Sequence, residues 1–235
     1  MPSKKELEDQ VDSVLSISWD VRNGTVIPTS DDVKLVNGAV KVDAVFLYAD
    51  LAATSLLTRL CPWETTAKVI RAYLDTAVRI IRSYDGEIRS FDGDRVMGVF
   101  MGDRMNSRST LAAREIFYTV ENIIGPKSVK QFQSFQTNSI KLKNCVGIDY
   151  GEARAVRAGI RSSNDLIWIG KSPSFAAKLS DLRTYANCVY ISKRVYDRIS
   201  EDSKIVDGKN IWTARNFTFA GETEAVYCTN YLKTP

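Results

Sequence analysis

Apolar positions run along this chain in two rhythms. AVFLYAD at 44–50 is continuous, β-branched and aromatic, and it ends in an acid, which predicts a central strand buried on both faces. From Pro62 to about Tyr84 the apolar residues Val69, Ile70, Tyr73, Leu74, Ala77, Val78 and Ile81 recur at helical spacing, predicting a helix with one buried face. LAATSLLTRL, between these two, starts a shorter helix after a tight turn. GEIRSFDGDRVMGVF at 86–100 reads as strand, turn, strand, because Asp-Gly between apolar runs is a strong hairpin signal. Residues 107–124 form a further amphipathic helix through Leu111, Ala112, Ile116, Phe117, Val120 and Ile124. Segment 139–160 alternates as two strands around Tyr150 and Gly151. DLIWIG and CVYIS are strands, PSFAAKLSDL and KRVYDRIS are helices, and strands near 211–219 and 225–229 finish the chain. The opening MPSKKELEDQVDSVLS is an amphipathic helix. The order is βααββαβ, which predicts an α+β, ferredoxin-like mixed sheet with helices on one face and extra strands. Residues 1–40 are an extension, and 41–235 form the main domain.

Composition narrows the chemistry. A net charge of +4 spread over interleaved bases and acids leaves no basic stripe for duplex nucleic acid. The aromatic strand signature of RNA-binding sheets is missing too. No apolar run approaches membrane-spanning length and no signal-peptide core opens the chain, so a cytoplasmic protein is expected, without membrane or nucleic-acid partners. Cys61, Cys145, Cys188 and Cys228 have no metal-ligand spacing and read as reduced, buried thiols. The chain has no histidine, which excludes imidazole acid–base catalysis and His-ligated zinc. Carboxylates, lysines, hydroxyls or bound metals must carry any catalysis.

Two acids stand out on this plan. Asp50 ends the first strand and Asp94 sits at the hairpin turn, and in a ferredoxin-like sheet those elements are neighbours. Close carboxylates repel unless a cation lies between them, and their hard oxygens suit Mg²⁺ or Mn²⁺. The amides of Ala52, Ala53 and Thr54 open a helix beside Asp50, a natural place for phosphate oxygens. Metal-binding acids beside phosphate-binding amides suggest a nucleoside triphosphate. Asp92, by contrast, reads as a solvent-exposed turn acid.

The pattern resembles the catalytic domain of class III nucleotidyl cyclases. YADLAATS at 48–55 is similar to the family's metal motif, GEIRSFDGDRVMGVF to its hairpin, VGIDYGEA at 146–153 to its Gly-Ile-x-x-Gly segment, and IWIGKSPSFAAKLSD at 167–181 to its base-recognition strand and following helix. The resemblance spans about residues 40–200. It implies that Asp50, Asp94 and the Leu51 carbonyl bind two divalent cations, Mn²⁺ or Mg²⁺. Departures fall at the base-reading positions: Ser90 stands where purine cyclases carry a lysine, and Ile167 where they carry Asp or Thr. Ser174 replaces the ribose-orienting Asn, and Lys178 replaces the transition-state Arg, keeping its charge but losing the bidentate fork. Tyr48 and Phe46 are candidates to fill a pocket for a smaller base, with plain core packing as the alternative for both.

Either catalysis has decayed, or the metals remain and the base pocket has been rebuilt. Retention of both metal acids favours the second. The set of substitutions resembles the pyrimidine cyclases of the bacterial Pycsar antiphage defence system, which implies conversion of UTP or CTP to cyclic UMP or cyclic CMP. It also implies a homodimer with composite active sites and a separate effector protein that reads the product. A conventional adenylate or guanylate cyclase, or a non-catalytic binding or dimerisation module, is the alternative. The GG(D/E)EF signature of diguanylate cyclases is absent.

Overall fold

Ser3 and Glu6 start the first helix by closing a capping box: the Ser3 hydroxyl accepts from the Glu6 amide at 3.2 Å, and the Ser3 amide donates to the Glu6 carboxylate at 2.6 Å. This helix is α1 (Lys4–Leu15), followed by β1 (Asp20–Asn23), β2 (Gly38–Ala52), α2 (Thr54–Leu60) and α3 (Trp63–Ser83). The hairpin β3 (Glu87–Asp92) and β4 (Arg95–Phe100) leads to α4 (Met105–Thr119), α5 (Gly125–Gln131) and α6 (Gln133–Thr137). Then come β5 (Lys143–Ile160), β6 (Ser163–Ile169), α7 (Lys171–Ser180), β7 (Val189–Ser192), α8 (Lys193–Tyr196) and α9 (Glu201–Lys204). The short pair β8 (Ile205–Val206) and β9 (Lys209–Asn210) precedes β10 (Thr213–Phe219) and β11 (Glu222–Thr229). The computed structural model describes residues 1–52, 54–160, 163–183 and 189–235.

The chain forms two compact units, residues 43–152 with 170–235, and residues 1–42 with 153–169. In the larger unit the strand order is β10-β11-β7-β5-β2-β4-β3, with β5 and β7 parallel and the hairpin strand β4 antiparallel to β2. The succession β2-α2-α3-β3-β4-α4-β5 follows the βααββαβ order read from the sequence, with the short helices α5 and α6 inserted before β5. Val45, Leu47, Ala49 and Leu51 of β2 and Val146 and Ile148 of β5 pack with Val69, Tyr73, Ala77 and Ile81 of α3 and Ala112 and Ile116 of α4.

Helices are not confined to that face. Alternate residues of the same strands, Cys145 of β5 and Tyr190 of β7, pack with Phe175 and Leu179 of α7 on the opposite side. Gly147 lets α7 approach: a Cβ there would lie 2.1 Å from the Ala176 carbonyl oxygen and 2.5 Å from the Ser180 nitrogen. Segment 143–160 is one strand rather than two. It changes partner along its length, with Val146–Ile148 pairing to β7 and Arg154–Ile160 to β6, and that change interrupts the alternation of burial. The helix expected over 107–124 is α4 followed by a π-helical turn at Val120–Ile124.

In the smaller unit β1 runs parallel to the start of β2, from Asp20 opposite Gly38 to Asn23 opposite Lys41. The β5–β6 hairpin pairs Arg154 with Ile169 and Ile160 with Ser163. Every residue of α1 is exposed. Among the described residues no helix is long and apolar enough to cross a membrane.

Candidate active site

Strand register assembles the site. Across β2, β4 and β3 one row joins Tyr48, Met97 and Ser90, and the next but one joins Asp50, Arg95 and Asp92. Side chains two residues apart share a sheet face, so Phe46, Tyr48 and Asp50 point the same way along β2. Gly93, with φ of 60°, is the first of two turn residues between β3 and β4, the position where tight hairpins require glycine. Asp94 is the second. The Leu51 amide donates to the Asp94 carbonyl at 3.4 Å, tying the end of β2 to the turn. The Thr54 hydroxyl lies 3.0 Å from the Leu51 carbonyl oxygen and also contacts the Asp94 carboxylate. One hydroxyl proton thus serves two acceptors, a carbonyl and a carboxylate, beside the Asp50 carboxylate.

Burial and a neighbouring acid set the electrostatics of Asp50. Asp50 is 8% exposed. Burial and then the Asp94 charge push its carboxyl above the usual carboxylate range, while Arg183 and Arg95 oppose the shift. The Arg183 guanidinium donates to the Asp50 carboxylate from a half-exposed position just beyond α7. Arg95 bonds Asp92 at 2.8 Å and Asp181 at 3.1 Å, and lies 5.7 Å from the centre of the Tyr48 ring. Beneath, Tyr73 is fully buried with no hydrogen-bond partner for its hydroxyl among the described residues. Burial, followed by the Asp50 and Asp94 charges, raises its pKa well above that of an ordinary phenol. Among the described residues no three Asp, Glu, His or Cys side chains gather as a metal cluster. The oxygen set here, two carboxylates and a carbonyl with mutual repulsion between the acids, nevertheless fits a hard divalent cation that takes further ligands from substrate or water.

The remaining candidates divide. Tyr48 is half-buried and its hydroxyl contacts the Met97 sulfur at 3.2 Å; Ser90 lies in the same row and is partly buried, whereas Phe46 is wholly buried. Ala52 is buried at the end of β2, and Ala53 lies outside the described residues. Asp92 is exposed and paired with Arg95, as a turn acid should be. Ser174 and Lys178 are exposed one turn apart on α7, and Lys178 reaches Asp181 at 3.9 Å. Ile167 belongs to the smaller unit, where it lines an apolar cavity with Trp19, Val36 and Ile169. Sequence reasoning missed Arg183, Arg95 and Tyr73. Arg95 adjoins Asp94 in the hairpin and could have been found there, but nothing in sequence spacing brings Arg183 to Asp50.

The chain is similar to a uridylate cyclase of Rhodovulum sp. (strain MB263), 38% identical over 237 residues, covering 100% of this chain and 99% of that protein. A uridylate cyclase of Xanthomonas perforans is 35% identical, with 90% of each chain covered. Among solved structures, a bacterial light-regulated adenylyl cyclase superposes with a TM-score of 0.65 at 22% identity, over 85% of this chain and 55% of that longer one. A non-canonical dimeric guanylyl cyclase domain from the aquatic fungus Blastocladiella emersonii gives 0.59 at 13% identity, covering 80% of this chain and 97% of its own. No family model matches. Adenylyl and guanylyl cyclases share this fold, so the fold by itself does not select the base.

Proposed function

Because this chain belongs to the uridylate cyclase family and is a nucleotidyl cyclase with the class III fold, we propose that it converts UTP to 3′,5′-cyclic UMP and pyrophosphate. The observation that carries the reading is the meeting of Asp50, the Leu51 carbonyl and Asp94 where β2 ends against the hairpin turn. In the reaction the ribose 3′-oxygen bonds to the α-phosphorus as the bond to the β-phosphate oxygen breaks, and pyrophosphate leaves with that electron pair. Asp50, Asp94 and the Leu51 carbonyl would hold two Mn²⁺ or Mg²⁺ ions. Such ions supply charge neutralisation for the triphosphate and lower the pKa of the attacking hydroxyl.

The chain's own groups orient and select. Thr54 fixes the Asp94 carboxylate against the end of β2. Tyr48 and Ser90, adjacent across Met97, are the groups we assign to the base. Ser90 stands where the resembled purine cyclases carry a base-reading lysine. A base site lined by Tyr48 and Ser90 without that charge leaves a purine's polar edge unpaired, which is how a site rejects the wrong substrate. Ser174 and Lys178, one turn apart on the exposed side of α7, are assigned to ribose and α-phosphate, Lys178 placing positive charge where negative charge develops. We assign these two to the substrate held by the other protomer of a homodimer. The resemblance to pyrimidine cyclases extends the reading to a cytoplasmic enzyme of antiphage defence whose product is read by a separate effector.

Incubation with each of the four nucleoside triphosphates and Mn²⁺, followed by chromatography of the nucleotide and assay of pyrophosphate, tests this. Cyclic UMP with stoichiometric pyrophosphate from UTP is expected. Preferential formation of cyclic CMP or of a cyclic purine nucleotide would overturn the base assignment, and absence of pyrophosphate with all four would overturn the enzymatic reading.

A further inference from the structure

The smaller unit carries an apolar surface that its own chain leaves bare. In α1 the residues Leu7, Val11, Val14 and Leu15 fall at i, i+4, i+7 and i+8, one face of a helix, and all are exposed. A twelve-residue helix is marginal in water by itself, and in proteins the missing stability comes from packing an apolar face. The capping box adds about 1 kcal/mol, too little to stand in for that packing. Beside the end of α1 lies a cavity of about 670 Å³ walled by Val14, Trp19, Val21, Val36, Ile167 and Ile169. Trp19, Val36 and Ile169 are each more than half exposed. A cluster of large apolar side chains left open in this way marks an interaction surface.

Charge indicates what covers it. After Lys5, α1 carries the acids Glu6, Glu8, Asp9 and Asp12 and no further base, whereas the cavity wall includes Arg154 and Arg157, the latter bonded to Asn164 and 3.9 Å from the exposed Asp31 carboxylate. An acidic helix with an apolar stripe therefore complements an apolar cavity flanked by arginines, and this chain holds both halves. Within one chain they do not meet fully. Ser13 and Val14 reach the cavity, while the stripe from Leu7 to Val11 stays uncovered. The acids also disfavour an anionic lipid surface as the occupant.

We propose that this face is closed by the same face of a second copy, with α1 of each protomer laid across the Trp19–Val36–Ile169 cavity of the other. Such a two-fold arrangement uses every complementary pair twice, as an isologous interface does. The proposal deepens the homodimer of the preceding section by naming the segment that joins the protomers, and it can fail while the cyclase activity stands.

Sedimentation equilibrium on the full chain and on the Leu7→Glu, Val11→Glu double variant is the first test. Both positions are exposed in the single chain, so substitution leaves its buried core intact. The dimer dissociation constant is expected to rise on the order of 10- to 100-fold. A wild-type chain that stays monomeric at tens of micromolar, or a dimer constant unmoved by the double substitution, overturns the proposal. Should the variant misfold by circular dichroism, a second arm decides. A Val11→Cys protomer and a differently tagged Val36→Cys protomer are mixed and treated with a bis-maleimide. Cross-linked product carrying both tags is expected, and its absence overturns the proposal.

Discussion

At the scale of single residues, Asp50 ties stability to function. Its folded-state pKa lies above the ordinary aspartate range, first because of burial and then because of Asp94. Below the unfolded value the carboxyl is protonated in both states and costs nothing. As pH rises through the interval between the unfolded and folded values, the native state holds the extra proton and stability falls; above the folded value the full cost remains. Asp50→Asn is therefore expected to be the more stable protein at neutral pH without added metal, with an advantage that shrinks toward pH 4 in urea titrations. An advantage that grows on acidification would contradict the electrostatic account. Cyclase activity of the same variant is expected to drop on the order of 100-fold or more. The acid pair was legible in the sequence because strand end and hairpin turn are local signals that a βααββαβ order brings together. Arg183 was not. Its partner stands 133 positions away, and no periodicity links the end of one helix to the end of a distant strand.

At the scale of elements, the seat of α7 depends on β5. Val146 and Ile148 face the larger core, while the alternating positions Cys145 and Gly147, both small, admit α7 on the other face. Gly147→Ala drives a methyl into the backbone at Ala176 and Ser180, which a helix relieves only by moving as a whole. A loss of roughly 1–3 kcal/mol in urea unfolding is expected, with reduced activity because Ser174 and Lys178 ride on the displaced helix. An unchanged midpoint would mean that α7 is not held there. Burial lifts the Cys145 thiol pKa to about 12, so it acts as a packing residue beneath α7 and not as a nucleophile. Element types along the chain were legible because apolar periodicity is local. The side taken by α7 was not read, although the small residues alternating with large ones in β5 carried the signal. Nor was the change of partner within β5, because pairing is decided by strands far off in sequence.

At the scale of the whole molecule, the chain's two units are built by segments that interleave in sequence, residues 153–169 clustering with the first 42. The proposed homodimer with composite sites makes a prediction that a single protomer does not. Asp94→Asn removes a metal-binding group and Lys178→Ala removes the helix group, so each homodimer should be inactive. Mixed and allowed to exchange, half of the dimers are hybrids with one intact site, and about a quarter of wild-type activity should return. No recovery after verified exchange would place both groups in one protomer's site.

Counting bound Mn²⁺ by electron paramagnetic resonance, with an unreactive UTP analogue present, reaches the central claim most directly. The account predicts about two ions per protomer in the wild-type chain, and loss of binding when either Asp50→Asn or Asp94→Asn is introduced. Wild-type Mn²⁺ occupancy in both variants would contradict it.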